Sequence, residues 1–151
     1  MATEDWDSVT YKSTVPFIPP ITQGKVVKVY DGDTITVASK IPGSDTWYRF
    51  SVRLSGIDCP EIKSKSESEK EVAQLAKQFV TSQVLNQVVT LENVEMEKYG
   101  RLLARVRYED SYSRDWYYLN EELCKRRLAV AYDGGTKVSP FNWKEFSSTY
   151  N

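Results

Sequence analysis

Apolar and polar residues alternate along two early segments of the chain, which is the pattern of half-buried β-strands. The segments cover residues 25–30 and 34–37, and the Asp-Gly-Asp turn between them predicts a β-hairpin. A third strand is predicted over residues 46–54. Its apolar side chains share one face, and its polar side chains, ending with Arg53, share the other.

After a charged link over residues 62–69, the spacing of apolar residues along the chain changes from two positions to about four. Apolar residues then recur at helical spacing between Val72 and Val80, and the pair Ser68 and Glu71 forms a capping-box pattern. Together these features predict a core helix of about four turns that ends near Val84.

The second half of the chain predicts two more strands, over residues 88–94 and 103–108, and then a polar turn over 109–116. A helix is predicted over residues 119–127, with leucines on its buried side. Ser139-Pro140 is expected to cap a short last helix. Three strands, a helix, two strands and further helices predict an α+β fold. The order fits a five-stranded β-barrel of the oligonucleotide/oligosaccharide-binding (OB) type, with a helix after the third strand and helices at the C-terminal side.

Apolar residues show no sustained periodicity over residues 1–23, and the prolines among residues 15–20 favour extended backbone. We expect an N-terminal arm here, partly disordered and partly packed through Phe17 and Ile18. Residues 24–151 are expected to form a single domain, which is an ordinary size for one hydrophobic core.

The composition narrows the possible chemistry. The chain has no histidine, which excludes His/Cys zinc sites and Ser–His–Asp triads. Acid–base chemistry must then use a carboxylate, tyrosine, lysine or water, and a metal ion must accept oxygen ligands, as Ca²⁺, Mg²⁺ and Mn²⁺ do. The net charge of −1 means that any attraction for nucleic acid must come from local basic groups.

Other composition features concern the environment of the protein. Cys59 and Cys124 are too few for a disulfide framework and are expected to be reduced thiols. No apolar run approaches membrane-spanning length, and the N-terminus lacks the features of a secretory signal. We therefore expect an intracellular monomer with no membrane contact.

The stretch Arg-Leu-Ser-Gly-Ile-Asp-Cys-Pro-Glu, residues 53–61, brings a guanidinium and two carboxylates together at the end of the third strand. Gly56 allows the turn, and Pro60 stiffens it. Such a concentration of charge is costly unless a metal ion or a phosphate lies within it.

Two other turns supply partners for this stretch. Asp33, in the acidic turn, would form an oxygen-lined cation site with Asp58. Arg101, at the end of a basic turn, would hold a phosphate together with Arg53. Glu61 remains as the acid–base group, so the residues indicate a divalent-metal phosphodiesterase.

Three motifs, Asp-Gly-Asp-Thr at 31–34, the stretch at 53–61 and Lys-Tyr-Gly-Arg at 98–101, occur in an order that resembles the staphylococcal nuclease (thermonuclease) family. The likeness covers residues 25–132. It implies calcium ligands, phosphate-binding arginines, a general base, and side chains that contact the nucleotide. By position these are Asp33, Asp58 and the main-chain carbonyl of Cys59 for calcium, Arg53 and Arg101 for the phosphate, Glu61 as base, and Lys98, Tyr99 and Tyr132 for the nucleotide.

The resemblance implies an enzyme that uses one Ca²⁺ ion, in preference to Mg²⁺ or Mn²⁺, to cleave DNA and RNA. The 5′ P–O bond would break and leave 3′-phosphate ends. The main alternative is a catalytically silent OB-fold module that binds nucleic acid or protein, although such modules typically lose the carboxylates that this chain keeps. The segment 112–118 could also join the N-terminal arm in a protein-binding surface, and the sequence leaves this open.

A second nuclease motif is weaker. Asp58 followed by Glu61-Ile-Lys63 is similar to the Asp…Glu-x-Lys signature of restriction-type nucleases. In those enzymes the Glu and Lys lie on a buried strand. Here they follow Pro60 and lead into a charged loop, which argues against that assignment.

Overall fold

The structure is a computed structural model, and it describes residues 3–135, 138–140 and 142–150. A single turn of 3₁₀-helix lies in the N-terminal arm at Trp6–Ser8. The strands are β1 (Gln23–Asp31), β2 (Thr34–Ser39), β3 (Tyr48–Leu54), β4 (Ile57–Asp58), β5 (Val88–Met96), β6 (Leu102–Glu109), β7 (Trp116–Tyr118) and β8 (Val130–Ala131). The helices are α1 (Glu67–Val84), α2 (Leu119–Lys125) and α3 (Trp143–Ser148).

Five strands close into a barrel in the order β3-β2-β1-β5-β6, because β3 also pairs with β6. The four other contacts are antiparallel, whereas β3 and β6 are parallel, with Arg53 opposite Leu103. β4 and β8 form a separate antiparallel pair. The prediction of an α+β fold with a five-stranded OB-type barrel is confirmed, and α1 follows the third strand as expected.

The core fills the barrel and the space between the barrel and α1. Buried apolar positions alternate with less buried ones most regularly in β6, where every second residue from Leu102 to Tyr108 is buried. Helix α1 contributes a buried stripe at helical spacing. Fully burying one valine, leucine or isoleucine side chain contributes about 1.5–3 kcal/mol, so this interior dominates the stability of the fold. The stripe consists of Val72, Ala73, Ala76, Val80 and Val84.

The start of α1 differs from the prediction by two residues. The N-cap is Ser66, whose hydroxyl accepts a hydrogen bond from the Glu69 N–H at 3.3 Å, and the predicted cap Ser68 lies inside the helix. Both positions have a serine followed three residues later by a glutamate, so the local pattern was ambiguous. The Glu69 carboxylate bonds to the preceding loop, and this contact stabilises the earlier start.

The C-terminal part of the chain shows two further differences. The segment predicted as a polar turn ends in a strand, because β7 pairs with β6 and places Tyr117 opposite Tyr108. The last helix is capped by Asn142, whose side chain accepts from the Glu145 N–H at 3.0 Å, and Ser139-Pro140 does not cap it. An asparagine side chain reaches the third N–H of a helix readily, which favours it as the cap.

The N-terminal arm does not pack through Phe17 and Ile18 as predicted, since both side chains are exposed. The chain joins the core directly after them, at buried Pro19 and Ile21. Side-chain hydrogen bonds of residues 3–18 connect residues no more than three positions apart and do not tie this part of the arm to the barrel. In the described parts of the chain, no helix combines the length and apolar character needed to cross a membrane.

Deletion of residues 1–14 should therefore change the free energy of unfolding by less than about 0.5 kcal/mol, because residues 3–14 bury no side chain. The matched control is Ile21→Ala, which removes a buried side chain and should cost about 2–5 kcal/mol. Chemical denaturation of the two variants tests the difference. A loss on deletion as large as that of the control would make the arm part of the domain.

Candidate active site

Arg53 lies at the end of β3, where barrel closure places it between β2 and β6. Its Nη1 donates to the Leu54 carbonyl at 3.1 Å, and its Nη2 donates to Asp58 Oδ1 at 3.2 Å. The same Nη2 lies 3.8 Å from Asp33 Oδ2. The side chain is largely buried, so these contacts fix the direction of the guanidinium before any ligand binds.

Asp33 connects the hairpin turn to the loop that follows β4. Its Oδ1 accepts from the Thr34 hydroxyl at 3.1 Å, and its Oδ2 accepts from the Cys59 N–H at 3.1 Å. Asp33 and Asp58 are both buried, which is unusual for carboxylates and needs compensating donors. The hydrogen bonds from Thr34 and Cys59 and the nearby charge of Arg53 supply that compensation.

Gly32 allows the acidic turn to pack closely against α1 and the next loop. A Cβ atom at this position would lie 2.7 Å from Ala76 Cβ and 2.9 Å from the Sγ of Cys59. Both distances are shorter than carbon and sulfur atoms tolerate, so a larger residue would push the turn away from the helix. The glycine thereby sets the position of Asp33.

Asp31 is a member of this site that the sequence-based assignment left out. Its carboxylate accepts from the Asp33 N–H at 3.1 Å. Burial, together with the hydrogen bond and negative charge of the Asp33 side chain, raises its pKa from the usual 3.8 to about 7. Its place in the Asp-Gly-Asp motif was the available signal, since two carboxylates so close together perturb each other.

Arg101 is held by Glu97 on the opposite side of the cleft. Arg101 Nε lies 3.2 Å from Glu97 Oε1 and its Nη2 lies 3.2 Å from Oε2, which is a bidentate pair. Oε1 also accepts from the main-chain N–H groups of Tyr99 and Arg101. Hydrogen bonding from Arg101 lowers the pKa of Glu97, so this carboxylate stays ionised. Sequence reasoning missed Glu97, although it stands four residues before the arginine.

Glu61 lies in the loop after β4, and its backbone is anchored by α1. The Glu61 N–H donates to Glu69 Oε2 at 2.7 Å, and the Ser64 hydroxyl donates to Oε1 at 3.1 Å. Glu69 is thus a positioning residue for this loop. The sequence pattern assigned Glu69 only to a charged link, because its partner lies eight residues away.

A cleft of about 710 Å³ brings most of the predicted site residues together. The Arg53 guanidinium lies 5.5 Å from the centre of the Tyr132 ring, and Lys98 Nζ lies 5.1 Å from the centre of the Tyr99 ring. Asp33 and Cys59 are not among the lining residues, and the Asp33 carboxylate accepts from the Cys59 N–H. The predicted residues that line it are Arg53, Asp58, Glu61, Lys98, Tyr99, Arg101 and Tyr132.

The donor chemistry of this site suits a hard divalent cation. The Asp33 and Asp58 carboxylates lie beside the same nitrogen of Arg53 and offer oxygen ligands. The raised pKa of Asp31, caused by burial and by the neighbouring Asp33, indicates that a negative charge on Asp31 is unfavourable here. No group of three or more Cys, Asp or Glu side chains with metal-binding spacing occurs within the described ranges. A bound ion would therefore need main-chain and water oxygens in addition to Asp33 and Asp58.

The structure is thus an OB-type barrel in which buried carboxylates and two oriented arginines lie around one cleft. The profile of the family described as staphylococcal nuclease homologue matches residues 51–147. The chain belongs to this family, as the three motifs predict.

Several curated proteins are similar to this chain. A probable endonuclease of Coccidioides posadasii is 27% identical over 76% of the chain and 42% of its own length. A probable endonuclease of Schizosaccharomyces pombe is 32% identical over 58% of the chain and 39% of its own length. An uncharacterized protein of Methanocaldococcus jannaschii is 31% identical over 92% of the chain and 72% of its own length. The chain thus spans only about two fifths of the two fungal relatives.

The raised pKa of Asp31 predicts a stability change with pH. Between about pH 4 and pH 7 the folded state keeps a proton that the unfolded state has lost, so stability falls as pH rises through this range. Asp31→Asn keeps an acceptor for the Asp33 N–H and removes the charge. In chelator at pH 8 it should stabilise the fold by on the order of 1–2 kcal/mol, after allowance for solvent screening, and at pH 3.5 it should have little effect.

The control is Asp110→Asn, which should act with the opposite sign. Main-chain N–H groups of Ser113 and Tyr112 donate to the Asp110 carboxylate and lower its pKa. Its charge therefore favours the folded state above its pKa, and that stability is lost as pH falls. Denaturant titrations of both variants from pH 3.5 to pH 8 give the comparison. Destabilisation by Asp31→Asn at pH 8 would show that its charge is favourable.

Proposed function

We propose that this chain is a divalent-cation-dependent nuclease that hydrolyses phosphodiester bonds in DNA and RNA. One observation supports the proposal most strongly: two arginines, each held by acceptors of the protein, and Glu61 border the same cleft beside a buried carboxylate pair. Membership of the staphylococcal nuclease family and the endonuclease names of two relatives agree with it.

Arg53 and Arg101 would bind the scissile phosphate and stabilise the charge that develops on its non-bridging oxygens. Both guanidinium groups are oriented in advance, Arg53 by Leu54 and Asp58, and Arg101 by Glu97. Donors that are already in position need little reorganisation during the reaction, which is the main source of electrostatic catalysis. The planar guanidinium also matches two phosphate oxygens at once.

Glu61 would act as the general base. It would accept a proton from a water molecule as the water oxygen forms a bond to phosphorus on the side opposite the 5′ oxygen. The bond between phosphorus and the 5′ oxygen would break, and that oxygen would take a proton from solvent. The products would be a 3′-phosphate and a 5′-hydroxyl. The contact between Glu69 and the Glu61 N–H supports this role by fixing the loop.

Asp33, Asp58 and the main-chain carbonyl of Cys59 would hold the cation, and Ca²⁺ suits these ligands best. Ca²⁺ tolerates irregular coordination by carboxylate, carbonyl and water oxygens, whereas Mg²⁺ requires a near-octahedral set. When bound, Ca²⁺ would neutralise part of the phosphate charge. Lys98, Tyr99 and Tyr132 would contact the nucleotide, since all three line the cleft.

Activity should require a divalent cation. Single- and double-stranded DNA and RNA are incubated with Ca²⁺, with Mg²⁺ and with excess chelator, and the product ends are determined. We expect cleavage with Ca²⁺, none with chelator, and 3′-phosphate ends. In Asp33→Asn, which keeps an oxygen for the Cys59 N–H, the Ca²⁺ dissociation constant should rise about tenfold or more because one charged ligand is lost.

Two results would count against this proposal. Full activity in chelator would exclude the cation from the reaction. Binding of nucleic acid without cleavage under every condition would identify the chain as a silent binding module.

Glu61→Gln should separate catalysis from binding. Glutamine has nearly the same shape, so the loop held by Glu69 should be preserved and nucleotide should still bind. It cannot accept a proton at neutral pH, so kcat should fall roughly a hundredfold to ten-thousandfold. The acidic limb of the pH–rate profile, set by a carboxylate in the unmodified protein, should disappear or move.

The matched control is Glu67→Gln, which makes the same charge change at an exposed position in the first turn of α1. It should leave kcat and the pH profile unchanged. An unchanged acidic limb in Glu61→Gln would argue against proton transfer to Glu61. Loss of nucleotide binding would instead give this residue a structural role.

A further inference from the structure

A second groove of about 350 Å³ begins on the other side of Glu61. Glu61 lines both this groove and the candidate active site, and it is the residue that the two linings share. We name this the lysine groove. Its lining residues are Lys28, Val29, Tyr30, Asp31, Glu61, Ile62, Lys63 and Lys77.

The three lysines of this groove come from different parts of the fold. Lys28 belongs to β1, Lys63 to the loop after Glu61, and Lys77 to α1. Their convergence is therefore a result of folding, which the linear sequence does not show. Such a cluster of like charges is unfavourable unless an anion offsets it.

None of these lysines forms an ion pair within the described part of the chain, whereas several cations elsewhere do. Arg101, Arg105 and Arg114 pair with Glu97, Glu121 and Glu109 respectively, and Lys144 pairs with Glu71. The three lysines outnumber the two carboxylates of the lining, Asp31 and Glu61, so the lysine groove has an excess of positive charge.

Tyr30 adds an aromatic surface to the groove. It is two residues from Lys28 on the same strand, so both side chains point to the outer face of β1, and Tyr30 is 52% exposed. Exposed aromatic rings beside unpaired cations are the features with which proteins bind single-stranded nucleic acid, through base stacking and phosphate contacts.

We propose that the lysine groove binds the sugar–phosphate backbone of the substrate strand beyond the scissile phosphate, on the side of Glu61 away from Lys98 and Tyr99. This inference rests on the proposed nuclease function. The strand would leave the active site past Glu61 and place its next phosphates against Lys28, Lys63 and Lys77. A substrate long enough to reach the groove would gain affinity that a dinucleotide cannot.

The test compares the triple variant Lys28→Gln, Lys63→Gln, Lys77→Gln with a control that has the same net charge. The control is Lys12→Gln, Lys25→Gln, Lys125→Gln, whose positions line neither the lysine groove nor the active-site cleft. Both are assayed with Ca²⁺ on a dinucleotide and on a single-stranded oligonucleotide of about twelve nucleotides, a length that covers a typical binding site of this kind. Assays are repeated over a range of salt concentrations.

In the groove variant, kcat/KM for the oligonucleotide should fall about tenfold or more, while kcat/KM for the dinucleotide should stay unchanged. The slope of log KM against log salt should decrease by about 2, because three phosphate contacts to a single strand are lost at about 0.7 each. The control variant should match the unmodified protein on both substrates.

Three outcomes would overturn the proposal: an unchanged oligonucleotide rate, an equal loss on the dinucleotide, or an equal loss in the control variant. Binding of the uncleaved oligonucleotide in chelator, measured by fluorescence anisotropy, separates this inference from the proposed function. If the unmodified protein cleaves nothing but its affinity falls tenfold in the groove variant alone, the nuclease proposal fails and the lysine groove stands. Equal affinity in all three proteins would refute the groove.

Discussion

The parallel pairing of β3 with β6 is the contact on which the candidate site depends. It closes the barrel and sets Arg53 opposite Leu103, two residues beyond Arg101. A one-residue slip in this register would turn Arg53 to the other face of the sheet. Asn120, buried on α2, secures the junction, because its amide donates to the carbonyl of Ser55 at 2.7 Å and its oxygen accepts from the N–H of Val106 at 3.0 Å. One polar side chain thus ties both strands to α2.

The sequence predicts the barrel well, because periodicity and motif order are local signals, and seven of the nine predicted site residues line one cleft. It does not reveal Asn120, Glu69 or Glu97, whose importance comes from hydrogen bonds with main-chain groups. For Asn120 and Glu69 these partners are eight or more residues away, and no local pattern distinguishes such a residue from an ordinary surface one. The same reason hides the lysine groove, since its cations come from three separate elements.

Element boundaries were less predictable where two local signals compete. Ser66 and Ser68 both precede a glutamate at capping distance, and the contact of Glu69 with the Glu61 loop favours the earlier cap. Likewise, the apolar type of Phe17 and Ile18 favours burial, but no part of the described structure covers them. The intrinsic preference of a residue determines its local structure or burial only when tertiary contacts do not override it. At the start of α1 a tertiary contact selects the cap, and at Phe17 and Ile18 the contacts that burial would need are not formed.

The net charge of −1 conceals two local concentrations of basic residues. Two arginines and a basic turn line the candidate active-site cleft, and three lysines line the lysine groove, with Glu61 shared by both linings. At physiological salt, charges separated by more than about 8 Å are largely screened, so a polyanion responds to the local groups and not to the total. If the chain acts as proposed, the carboxylates would repel a phosphate at the centre, so the flanking cations and a bound divalent ion would be needed for its approach. Local charge would then determine both where a substrate strand lies on this barrel and which of its phosphates reaches Glu61.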